Sequence, residues 1–134
     1  MNTKEYLSQA YRIDQKINSK IEQVSSLHDL ATKATQTLSD MPGSATRNVH
    51  RMEDVILKII DFENEINAEI DRLVDIKHEI SCLINSVPNQ EEQTLLELRY
   101  LCFKTGEQIA VEMGYSVQNI YKLHTRALKN LEIS

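Results

Sequence analysis

The sequence predicts an all-α protein: a long antiparallel coiled-coil helical hairpin followed by a small three-helix helix-turn-helix domain. Apolar residues recur every three or four positions over two long stretches, and the Pro42-Gly43 pair separates those stretches. Near the C-terminus, a glycine-centred corner joins two short amphipathic segments. Composition agrees. Three Gly, two Pro and no Trp in 134 residues suit helices, and 5% aromatic against 26% charged residues disfavours a large core with aromatic anchors.

The first helix is expected from Lys4 to Leu38, with a stripe at Tyr6, Ala10, Ile13, Ile17, Ile21, Val24, Leu27, Ala31, Ala34 and Leu38. Such a helix extends roughly 50 Å, far beyond the average of about 11 residues, and needs a partner of matching length. A turn over residues 39–46, built around Pro42-Gly43, reverses the chain. The second long helix starts between Arg47 and Met52 and continues to about Val87. Its expected seam is Met52, Val55, Ile59, Phe62, Ile66, Ile70, Leu73, Ile76, Ile80, Leu83 and Val87. Matching seams predict a hairpin over residues 1–88, crossing at about 20°.

Around Val55 to Ile60 apolar residues cover most of the helix circumference, and Val74 and Ile84 form a second stripe. A two-helix hairpin cannot bury both, so either the C-terminal domain folds back or a second copy covers the excess. A homodimer through the hairpin is the expectation.

Pro88 marks the expected domain boundary, and residues 89–134 form the second domain. Asn89 with Glu92 three residues on has a capping-box pattern, opening a helix from Gln90 to about Phe103. Thr105 and Gln108 form another, opening a helix from Glu107 to Met113. Gly114 supplies the corner, Ser116 the next N-cap, and the last helix runs from Val117 to about Leu131. Ile109, Met113, Ile120, Leu123 and Leu128 face one another, with the small Ala110 where the backbones cross. This is the pattern of a DNA-reading helix-turn-helix.

A net charge of −5 argues at first against a nucleic-acid partner, but the charge is uneven. Nine acids lie between Glu53 and Glu79 against Lys58, Arg72 and Lys77, whereas no acid lies between Gly114 and Leu131. Phosphate attraction acts over a Debye length of about 8 Å, so a local basic face suffices. With Ile120, Leu123 and Ala127 turned inward, Ser116, Gln118, Asn119, Tyr121, Lys122 and Thr125 are expected to read bases. Arg99, Lys104, Thr105, Arg126 and Lys129 are expected to hold phosphates.

Cys82 and Cys102 form no CxxC and read as small core or near-core residues. His28, His50, His78 and His124 are scattered, with no carboxylate or Cys placed beside them. No catalytic residue, metal site or cofactor is expected, and the protein is read as a non-enzyme. Tyr6, Tyr11 and Tyr100 read as helix packing, while Tyr115 and Tyr121 suit either packing or recognition. The N-terminus has no apolar run of signal-peptide length and no segment approaches about 18 apolar residues, so no membrane contact and a cytoplasmic location are expected.

The run LLELRYLCFKTGEQIAVEMGYSVQNIYKLHTRALKNL, residues 95–131, resembles the promoter-reading region-four domain of sigma-70-class factors. The match lies in the LR-Y helix, the EQIA helix, the MGYS corner and the RAL-NL tail. Together with RIDQKINSKIEQVSSLHDLATKAT, residues 12–35, the whole chain resembles a family of small prophage proteins of Gram-positive bacteria related to ArpU-type phage regulators. The resemblance implies sequence-specific binding of double-stranded DNA in control of phage genes, and it leaves open a contact with RNA polymerase. It does not imply a full sigma factor, since there is no room for a promoter-melting domain. The competing expectation is a phage structural or adaptor protein that uses the hairpin and the helix-turn-helix for assembly.

Overall fold

The computed structural model describes residues 2–40 and 45–131, and it is all-helical over them. Six helices follow in order: α1 Thr3–Leu7, α2 Gln9–Asp40, α3 Ala45–Asn85, α4 Gln90–Tyr100, α5 Gly106–Met113 and α6 Val117–Asn130. Residues 41–44, the centre of the turn expected over 39–46, lie outside the described residues.

The expected first helix is divided at Ser8. There the hydroxyl donates to the Lys4 carbonyl (2.7 Å), Gln9 Nε2 to the Tyr6 carbonyl (3.0 Å) and Arg12 Nη2 to the Glu5 carbonyl (2.9 Å). Side chains thus add donors to three carbonyls at the junction, the Lys4 carbonyl also keeping the Ser8 amide at 3.0 Å, and such side-chain bonding to a helix's own carbonyls bends its run.

The chain forms two compact units, and they do not divide at Pro88. One holds residues up to Asp14 and from Arg72 onward; the other is Gln15–Asp71. The physical reason is the core of the first unit. Leu7 and Ala10 from the N-terminal helices, Ile80, Ile84 and Val87 from α3, and Leu95, Ile109, Ile120, Leu123 and Ala127 from α4 to α6 are buried in one cluster. Ile84, expected as surplus apolar surface, is fully buried there. The end of α3 is also tied to α4, since Gln93 Nε2 donates to the carbonyls of Asn85 and Val87.

In the unit Gln15–Asp71, α2 and α3 run antiparallel: Lys16 pairs with Glu69 at 3.0 Å and Lys20 with Glu65 at 2.9 Å. The seam departs from the expected one at two places. The Lys20 and Glu69 side chains are largely covered (16% and 15% exposed), whereas Ile21 and Ile70 are 49% and 41% exposed. Strict alternation of threes and fours, 59-62-66-69 on α3 and 17-20-24-27 on α2, puts the charged residues in the seam. Their stems lie along apolar surface while their charged ends reach a partner. Ion pairs at such an edge contribute about 0 to 1 kcal/mol each, so burial of neighbours such as Ile17 and Ile59 carries more of the stability.

Candidate nucleic-acid interface

The helix α4 opens at Asn89, whose Oδ1 accepts from the Glu92 amide at 3.1 Å. The reciprocal half of the expected capping box is absent. The Glu92 carboxylate, 1% exposed, instead accepts from Asn130 Nδ2 at 3.1 and 2.9 Å, tying the start of α4 to the end of α6. This helix stops at Tyr100, short of Phe103, because Phe103 takes a left-handed backbone with φ of 60°. That conformation is costly for an aromatic residue. The compensation is tertiary: the Phe103 ring meets Tyr11 edge-on at 5.7 Å, and Lys77 Nζ sits 4.7 Å over its face.

The corner itself forms as its residues dictate. Thr105 Oγ1 accepts from the Gln108 amide (3.2 Å) and Gln108 Oε1 from the Thr105 amide (2.9 Å), a complete capping box. Gly114 has φ of 74°, the Tyr115 amide closes onto the Ala110 carbonyl at 3.0 Å, and Ser116 Oγ caps the Asn119 amide at 3.2 Å. Buried Ile109, Ala110, Ile120, Leu123 and Ala127 hold α5 and α6 together. The helix α6 therefore has one determined orientation about its own axis.

Its outward face carries Gln118, Asn119, Tyr121, Lys122, Thr125, Arg126 and Lys129, all exposed. These fall into a centre and two edges. Gln118, Lys122, Thr125 and Lys129 form the centre, where Thr125 Oγ1 also donates to the Tyr121 carbonyl at 3.0 Å. Asn119 and Arg126 form one edge, sharing a shallow depression with Glu91, Tyr115, Lys122 and Leu123. The Tyr115 hydroxyl donates to Glu91 at 2.5 Å there, which pushes the phenol's pKa up. Tyr121 forms the other edge, its ring so close to α5 that a Cβ on Gly106 would sit 3.3 Å from it.

The remaining expected residues lie off this face. Ser116 is exposed, but its hydroxyl is engaged as a cap. Lys104 is ion-paired with Glu112, which uses part of its charge within the protein. Arg99 is exposed and donates from Nη1 to the Lys104 carbonyl at 3.1 Å. Thr105 stands at the start of α5 beside Gly106.

Behind Tyr121, the Tyr100 hydroxyl and His124 Nε2 are 2.7 Å apart. Burial pushes the Tyr100 pKa up to about 12, and it lowers that of His124, with Lys4 and Arg99 adding to the lowering. The histidines are less isolated than their spacing suggests. His78 Nε2 is 3.8 Å from Cys82 Sγ, one turn away on α3, and His50 Nδ1 is 3.7 Å from Glu53. Both cysteines are exposed and not part of the core, because Cys82 lies off the α3 seam and Cys102 falls in the bend after α4. Lys4 is the residue of this region that the sequence reading missed; nothing in its local sequence ties it to residues a hundred positions away.

A family model described as "Protein of unknown function (DUF1492)" matches residues 30–132. No curated protein and no solved structure matches the chain. Among the described residues, no helix is long and apolar enough to cross a membrane.

Proposed function

Because the chain belongs to the DUF1492 family, whose description assigns no activity, we propose its function from the site: a sequence-specific DNA-binding transcription regulator that reads the major groove with α6. The observation that carries this reading is the outward face of α6. From Val117 to Asn130 that helix holds Lys122, Arg126 and Lys129 and no acid, within a chain of net charge −5. Gln118 offers a bidentate amide for adenine, Lys122 a donor for guanine, and the Thr125 methyl a contact for thymine. Arg126 and Lys129 hold phosphates, which position the helix without specifying sequence. The similarity of residues 95–131 to sigma region four supports the same use of the corner, and the prophage resemblance makes phage genes the proposed targets.

Three cations bind DNA weakly as a monomer, so the regulator acts as a homodimer, doubling its contacts on two half-sites. Ile56, Leu57, Ile60 and Ile70, all at least 41% exposed on α3, supply the apolar surface for that contact. Light scattering that gives only a monomer at micromolar concentration would defeat this part.

The test of DNA reading is selection of bound duplexes from a random pool, followed by salt-titrated binding of two variants. Gln118→Ala loses about 1 to 3 kcal/mol on the selected site and relaxes one base pair, while Arg126→Ala weakens all sequences alike and flattens the salt dependence. A pool that enriches no motif at low salt refutes the reading.

A further inference from the structure

A cleft of about 320 Å³ opens between α1, α4, α5 and α6 and borders the outward face of α6 at Tyr121. Its floor is apolar, made by Leu95, Ile109 and Ile120. Its rim brings Lys4 from α1 and Arg99 from α4 together with Thr105, Gly106, Tyr121 and His124. Neither Lys4 nor Arg99 has an ion-pair partner among the described residues, whereas Lys16, Lys20 and Lys104 each do. Two cations from helices about ninety-five positions apart in sequence therefore face one cleft in an acidic protein with their charge available.

The other donors at the rim have the same sense. The first intrahelical bond of α5 is made by the Ile109 amide to the Thr105 carbonyl (3.0 Å), so the amides of Gly106 and Glu107 precede it and point out of the helix start. Thr105 Oγ1 accepts from the Gln108 amide and keeps its own proton to donate. Glu107 is the acid among the lining residues and opposes an anion.

We propose that this cleft binds a phosphoryl oxyanion, with Lys4 and Arg99 as its charge partners and the start of α5 as its hydrogen-bond donors. Two sources carry that chemistry: a backbone phosphate of bound DNA, or a free phosphate-bearing small molecule. The DNA form rests on the function proposed above, while the free form stands without it. In either case the N-terminal helix is part of the binding machinery, since Lys4 reaches the cleft only while Leu7 is seated in the core.

The first arm of the test titrates the intact protein with inorganic phosphate at constant ionic strength, read by amide NMR. Saturable shifts are expected at Gly106 and Glu107. Lys4→Gln, which removes no hydrogen bond seen in the protein, weakens binding about fivefold, the scale of one exposed charge contact. Glu107→Gln strengthens it. The second arm measures the salt slope of binding to a duplex, where loss of one phosphate contact lowers the slope by about 0.9. A lowered slope in Lys4→Gln identifies DNA as the source; an unchanged slope with weakened phosphate binding identifies a free ligand. If phosphate shifts neither amide and Lys4→Gln leaves both arms unaltered, the proposal is overturned, and Gln118→Ala and Arg126→Ala still test the DNA reading separately.

Discussion

Replacing Leu7 by Ala tests whether the N-terminal helix and the recognition helix share a core. Leu7 is fully buried, in the cluster that includes Ile84, Leu95, Ile109 and Ile120. The change removes three carbons at about 0.8 kcal/mol each, about 2.4 kcal/mol, and an unfilled cavity raises the cost within the usual range of about 2 to 5 kcal/mol. Hydrogen exchange of α6 amides reads the effect where it matters. A loss of about 2.4 kcal/mol accelerates exchange through opening of the shared core by about 50-fold. Val74→Ala is the control: Val74 is 61% exposed, and its truncation changes stability by no more than about 0.5 kcal/mol. If Leu7→Ala frays α1 but leaves α6 exchange unchanged, residues up to Asp14 do not belong to the unit that presents the candidate face, and a boundary at Pro88 becomes the better description.

Asn130→Ala leaves the buried Glu92 carboxylate without its partner and costs about 1 to 3 kcal/mol in urea unfolding, most of it suppressed in a Glu92→Leu background. Gly114→Ala costs about 1 kcal/mol by thermal melting; nothing lies within 4 Å of the added Cβ, so the cost is that of the left-handed φ alone. His124 has a folded pKa below the ordinary 6.5, so the stability tied to its neutral form is complete above pH 6.5 and falls as pH drops through the lower folded value. The charged groups facing it are Lys4 and Arg99, with the Tyr100 hydroxyl as hydrogen-bond partner. Melting points between pH 7.5 and 5 show the fall, and His124→Gln flattens it.

Local chemistry made the corner legible. Thr105, Gln108, Gly114 and Ser116 each act through atoms within five residues, and the helices and caps they predict form at those places. The inward positions Ile120, Leu123 and Ala127 follow from helical period alone, and they are buried. Phe103 is the opposite case. Nothing beside it in sequence requires a left-handed backbone, and its reason lies in Tyr11 and Lys77. Glu92 likewise fits a capping box by spacing, yet its carboxylate satisfies Asn130 once burial makes a distant amide its neighbour. The hairpin seam stands between these cases. Ile21 and Ile70 are the more apolar choices, but sustained pairing of two helices requires alternating steps of three and four, which admits Lys20 and Glu69.

By itself the sequence determined the helical class, the chemistry of the corner at Gly114 and the outward face of α6, because all of these depend on short-range backbone and periodic terms. Tertiary structure alone decided that Leu7 and Ile84 share a core with α6, and that Lys4 and Arg99 meet at one cleft. The physical reason is that burial and charge proximity depend on which surfaces meet in space, and spacing along the chain carries no record of that meeting.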